Sequence, residues 1–142
     1  MSEIIRNLYL GNDLDARNAI NVDLIINCTH DLPFYSENTT NIRVPIQDQD
    51  NDDYNQQKIL FNIIEDDQIF KYMNIILENN KKVLVHCKYG QQRSCAFVVC
   101  FLIWRYDLDL FDAISYIKSC RKEAFFGSIN FMDAIKHYSR TH

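Results

Sequence analysis

Glycine and proline are scarce in this chain, three and two residues among 142. No Gly/Ser/Pro-rich linker and no internal repeat interrupts it, so a single domain over residues 1–142 is expected. Long apolar runs are missing too. The longest, Cys95 to Trp104, has ten residues, too few to span a bilayer, and reads as a buried helix. Basic charge is not in excess. A net charge of -4 and a pI of about 5.5 exclude a broad electrostatic grip on nucleic acid. An anionic substrate must then be met by a local positive site.

The five cysteines, Cys28, Cys87, Cys95, Cys100 and Cys120, contain no C-x-x-C pair, and their number is odd. With no signal peptide visible, a reducing, cytoplasmic or otherwise intracellular setting is expected. Zinc ligation is disfavoured: His86 adjoins Cys87 without ligand spacing, and His30, His137 and His142 are scattered. No cofactor, metal or membrane partner is expected, and the chain reads as a monomer.

What is present is material for a full core, 47% hydrophobic and 13% aromatic residues. Leu8 to Leu10, Leu24 to Asn27, Asn41 to Ile46 and Val83 to Val85 read as strands, the last as a central one buried on both faces. Helices are predicted over 16–22, over 58–79 with a break at Glu65-Asp66-Asp67, over 93–106, over 110–121 and over 130–139. Residues 47–57, rich in acids and without periodicity, read as a surface loop. Strands alternating with helices predict an α/β fold with a mostly parallel sheet flanked by helices.

The chemistry concentrates in Val83 to Ser94, VLVHCKYGQQRS. A buried strand delivers Cys87, a short loop containing Gly90 follows, and a helix begins near Arg93. Backbone N–H groups in such a loop curl around one centre, and the helix N-terminus adds unpaired donors and its positive dipole end. That is an anion cradle, and a thiolate at its base is itself an anion in the same field. Arg93, six positions on, returns a planar fork able to hold two oxygens of a phosphoryl group. Ser94 is placed to hydrogen-bond the sulfur. A cysteine after a β-run is by itself most often a small buried hydrophobe; the company of His86, Gly90, Arg93 and Ser94 changes that reading.

His86-Cys87-Lys88-Tyr89-Gly90-Gln91-Gln92-Arg93-Ser94 resembles the H-C-x5-R-S signature loop of protein tyrosine phosphatases, in particular the small dual-specificity group. Asn7 to Gly11 and Ile25 to Thr29 resemble that group's first strands. Val44-Pro45-Ile46-Gln47-Asp48 resembles the approach to its general acid, and Ser128 to Phe131 the start of its final helix. Three positions depart from the pattern: Gln92 where serine is common, Tyr89 where a small residue is common, and Cys95 where glycine is frequent.

The resemblance implies the cysteine-phosphatase fold and hydrolysis of phosphotyrosine and phosphoserine/threonine in protein substrates through a phosphocysteine. It implies Cys87 as nucleophile, Arg93 as clamp, Ser94 as the group that eases departure of the sulfur, and Asp48 as general acid. Lys88, Tyr89, Gly90, Gln91 and Gln92 are the substrate-binding loop, with His86 supporting it. Asp48 precedes Cys87 by 39 residues, more than the family usually shows, so Asp50, Asp52 and Asp53 stay open as acids. The resemblance also implies a redox partner, because some members carry a cysteine at the place of Cys28; a plain buried thiol is the alternative. Two other functions stay open. One is a phosphatase for RNA 5′ ends or inositol or lipid phosphates, the other a non-catalytic phosphoprotein-binding module.

Overall fold

A computed structural model of the chain describes residues 1–48 and 54–142. Strand β1 (Ser2–Ile5) pairs antiparallel with β2 (Leu8–Gly11). Beside β2 lie β5 (Val83–His86), β3 (Leu24–Asn27) and β4 (Thr40–Arg43), all parallel, in the order β1-β2-β5-β3-β4. The mostly parallel sheet is thus present, and β5 is its centre.

Two-residue periodicity divides the strands between two cores. Leu8, Leu10, Leu24, Ile26, Val83 and Val85 face the larger one. There they meet α2 (Tyr54–Ile64), α3 (Gln68–Glu78), α4 (Arg93–Tyr106), α5 (Leu110–Cys120) and α6 (Met132–Thr141). The intervening Ile25 and Leu84 face the other side, where they pack with Ala16 of α1 (Asp13–Arg17). All four side chains of β5 are buried, as the uninterrupted apolar run requires. Phe70 anchors the larger core edge-on to Phe97 and Phe101, with ring centroids 5.2 and 5.6 Å apart. Each such ring buried contributes about 1.5–3 kcal/mol. Among the described residues, no helix is long and apolar enough to cross a membrane.

The helix over 93–106 is present with those bounds, and the acidic break divides α2 from α3 at Glu65–Asp67. Elsewhere local hydrogen bonding moves the bounds. The helix expected over 16–22 spans Asp13–Arg17 instead, because the Asn12 side chain accepts from the Asp15 N–H while Asp15 accepts from the Asn12 N–H. Of the 47–57 stretch read as surface loop, Tyr54 to Gln57 belong to α2, and Gln57 is buried. Strand β1 has no counterpart in the sequence reading. The acid candidates Asp50, Asp52 and Asp53 lie outside the described residues.

Candidate active site

Strand β5 ends at His86, and the chain turns through residues 87–92 into α4. Carbonyls along this turn are tied to the scaffold. The Asp13 N–H donates to the Lys88 carbonyl at 3.0 Å, and the Phe125 N–H to that of Gln91 at 2.7 Å. Arg121 Nε donates to the Gly90 carbonyl at 2.8 Å. With these carbonyls held outward, the N–H edge of the turn and the N-terminus of α4 are the donors left for an anion in front of Cys87. Gln92, the α4 N-cap, makes no side-chain capping bond, so the helix end keeps its unpaired N–H groups.

Gly90 is required at its position. It has φ +66°, and a Cβ there would lie 2.5 Å from Arg121 Nη2 and 2.6 Å from the Gly11 carbonyl oxygen. Arg121 is 5% exposed, and its Nη1 donates to Ser2 Oγ at 3.0 Å and to the Leu10 carbonyl at 3.3 Å. One buried guanidinium thereby fixes the turn to β1 and β2. The sequence offered no signal for this role beyond an arginine at the end of an amphipathic helix.

Cys87 Sγ lies 3.1 Å from Ser94 Oγ, in buried surroundings. Arg93 is 7% exposed, with Nη1 donating to the Ile46 carbonyl at 3.3 Å. Among the described residues its Nε has no hydrogen-bond partner. A buried, unpaired donor costs about 1–3 kcal/mol, so this one is placed for a ligand rather than for stability. His86 is buried, with Nδ1 3.3 Å from the Cys87 carbonyl oxygen. Burial holds its imidazole below the usual histidine range, so at neutral pH it is an uncharged support for the turn.

In front of this turn is a cleft of about 350 Å³, lined by Arg93, Lys88, Asp48, Gln47 and the loop His30, Asp31 and Leu32. Arg43 on β4 orders that loop by donating to the Thr29 and Leu32 carbonyls at 2.9 and 2.7 Å. Lys88 Nζ stands 3.8 Å from Asp13 Oδ2, so its charge is partly answered. Asp48 is exposed at the cleft, and its Oδ1 accepts from Asn130 Nδ2 at 3.0 Å.

Of the five loop residues read as substrate-binding, Lys88 reaches the cleft by its side chain. Tyr89 is exposed on the surface, while Gly90 and Gln92 are buried against the scaffold.

Cys28 is fully buried beside the turn. Strands β3 and β5 pair as Asn27 with His86, and the Cys28 N–H continues the ladder to the His86 carbonyl at 2.8 Å. Cys28 and Cys87 therefore each follow directly on the paired ends of β3 and β5. Burial pushes the Cys28 thiol well up.

A family model described as "Dual specificity phosphatase, catalytic domain" matches residues 8–141. The human protein "Dual specificity protein phosphatase 9" is 29% identical over 98% of this chain. "Protein-tyrosine-phosphatase MKP1" of Arabidopsis thaliana is 28% identical over 84% of it. The chain spans only 36% and 15% of those two relatives' lengths. The crystal structure of human DUSP28 superposes with a TM-score of 0.82, covering 99% of this chain and 96% of that one. At 23% identity this last likeness concerns the fold.

Proposed function

The chain belongs to the dual specificity phosphatase family, and from that premise we propose that it hydrolyses phosphoprotein monoesters through a phosphocysteine on Cys87. The observation that carries the reading is Cys87, Ser94 and Arg93 on one strand–turn–helix whose carbonyls are tied outward. The Cys87 thiolate attacks phosphorus while Asp48 protonates the departing oxygen. A water deprotonated by the Asp48 carboxylate then attacks the phosphocysteine, and Ser94 hydrogen-bonds the sulfur as it leaves. Arg93 and the backbone N–H groups of residues 88–92 hold the equatorial oxygens in both steps. No step is routed through a metal.

Residues 1–142 act as one catalytic domain on phosphorylated protein. We take it to be a monomer in a reducing, intracellular compartment, a reading supported by five free cysteines. Nucleic acid is disfavoured by the net charge of -4. The pairing of Lys88 with Asp13 weighs against a rim built for multiply charged inositol phosphates. A panel of phosphotyrosine peptide, phosphothreonine peptide, triphosphorylated RNA and inositol phosphates tests this. Both peptides should turn over, because an open cleft lets the short Ser/Thr ester reach Cys87 as well as the aryl ester. A tyrosine preference above ~10⁴, more than 5 kcal/mol of discrimination, would contradict it. Turnover of RNA or inositol phosphates alone would replace it.

We infer that Cys28, next to the paired ends of β3 and β5, protects the nucleophile. Peroxide should oxidise the Cys87 thiolate to a sulfenic acid, and the Cys28 sulfur should displace water to give a disulfide that thiol reduces. Side chains in register on parallel strands ~4.8 Å apart fall within the ~7 Å between Cα atoms that a disulfide bridges. Peptide mapping after peroxide should find the Cys28–Cys87 pair. Thiol rescue undiminished in Cys28→Ser, or a Cys87–Cys95 bridge, would exclude Cys28.

A further inference from the structure

Asn130 lies far from the signature turn in sequence, yet its polar groups tie that turn to α2 and to Asp48. Its N–H donates to Gln92 Oε1 at 3.0 Å, and Gln92 Nε2 donates to the Ser128 carbonyl at 2.7 Å. Gln92 belongs to the turn that carries Cys87, so Asn130 is referenced to the nucleophile's own loop. From α2, Gln57 donates to the Asn130 carbonyl and accepts from the Ala134 N–H at 2.8 Å. The side-chain amide is oriented too. Ser128 Oγ donates to Asn130 Oδ1, which turns the NH₂ toward Asp48 Oδ1, 3.0 Å away.

We propose that Asn130, fixed by Gln92 and Gln57, is the positioning residue that holds the Asp48 carboxyl against the leaving oxygen and decides which of its oxygens carries the proton. The inference rests on the reading of Asp48 as general acid. An NH₂ donor requires an acceptor, so Oδ1 is committed as the carbonyl oxygen and the acid proton sits on Oδ2. In the first step the Cys87 sulfur–phosphorus bond forms and the phosphorus–oxygen bond breaks. The Oδ2 proton passes to the departing oxygen, leaving an Asp48 carboxylate that Asn130 still donates to. Asp48 itself is exposed on a loop, where an unheld side chain samples several rotamers. Without Asn130 the acid remains present but meets the leaving oxygen less often.

Gln92 has a role here that the sequence marked only as a departure from the serine common at that place. An amide reaches both the Ser128 carbonyl and the Asn130 N–H, whereas a serine hydroxyl on that backbone is too short to span both. The substitution therefore ties the phosphate cradle to the acid.

The test is a double-mutant cycle read across leaving groups, with wild type, Asn130→Ala, Asp48→Asn and the double variant assayed on phenyl phosphate and 2,4-dinitrophenyl phosphate. Asp48→Asn should slow the phenyl ester by ~10²–10⁴-fold and the activated ester far less, since a stable phenolate departs without a proton. Asn130→Ala should slow the phenyl ester roughly 10–100-fold, the worth of one hydrogen bond to a charged group. It should leave the activated ester within about threefold, which also shows the fold and Cys87 intact. Added to Asp48→Asn, it should cost nothing further. Equal slowing of both esters, or an undiminished loss in the double variant, would make Asn130 structural and overturn the proposal. If Asp48→Asn itself shows no leaving-group dependence, the acid assignment fails and takes this inference with it, whereas a normal Asp48→Asn response beside an inert Asn130→Ala overturns the inference alone.

Discussion

Cys87→Ser should lose turnover by on the order of 10⁶-fold, the scale seen when an enzyme's covalent nucleophile is removed, while still binding a phosphate mimic. A serine hydroxyl is a far weaker acid than a thiol and does not supply the anionic nucleophile that a thiolate is. The variant should fold normally, because the hydroxyl is smaller than the thiol and retains a partner in Ser94 Oγ, now 3.1 Å from the sulfur. Binding of vanadate or tungstate measured by calorimetry, beside the rate on p-nitrophenyl phosphate, separates the two effects. Activity within tenfold of wild type would mean that another group attacks phosphorus.

Arg93→Lys should cost ~10³-fold or more in kcat, in the range assigned to an arginine that neutralises charge on a transferring phosphoryl group. Arg93 is 7% exposed, one guanidinium nitrogen is spent on the Ile46 carbonyl, and Nε is without a partner among the described residues. Its planar fork therefore has a fixed direction before any substrate arrives. A lysine brings the same charge as a single point and cannot span two oxygens. Steady-state kinetics on a phosphopeptide check this. A loss below tenfold, ~1.4 kcal/mol, would remove Arg93 as the clamp.

How much of this was legible in the sequence differs from residue to residue. Val83 to Val85 and the 93–106 helix could be read because burial on both faces demands unbroken apolar runs, and the chain supplies them. The strand–turn–helix that carries Cys87, Arg93 and Ser94 was equally plain, since those residues sit at fixed offsets along one strand and one turn. Groups whose partners are distant in sequence left no such trace. Gln57 sits in an acid-rich stretch with nothing to announce burial, and it is met there by Asn130, just before α6, and by Ala134 within it. Arg121 grips Gly90 across 31 residues and Leu10 across 111. Short β1, four residues with one fully buried side chain, carries too little pattern to distinguish it from a terminus. The first helix was misplaced because its start is set by the Asn12–Asp15 capping pair rather than by apolar periodicity. Asp48 was a candidate acid only through family likeness, and its hydrogen bond with Asn130 needed the fold.

The central claim is that phosphate passes through Cys87, and rapid acid quench tests it most directly. Wild-type protein mixed with a labelled aryl phosphate and quenched within milliseconds should yield a phosphothiol ester on the peptide that contains Cys87. The label should be discharged by iodine, which cleaves phosphorus–sulfur bonds, and be missing from Cys87→Ser. Label on a serine, histidine or aspartate instead, or full turnover with no covalent phosphate at any quench time, would contradict the account.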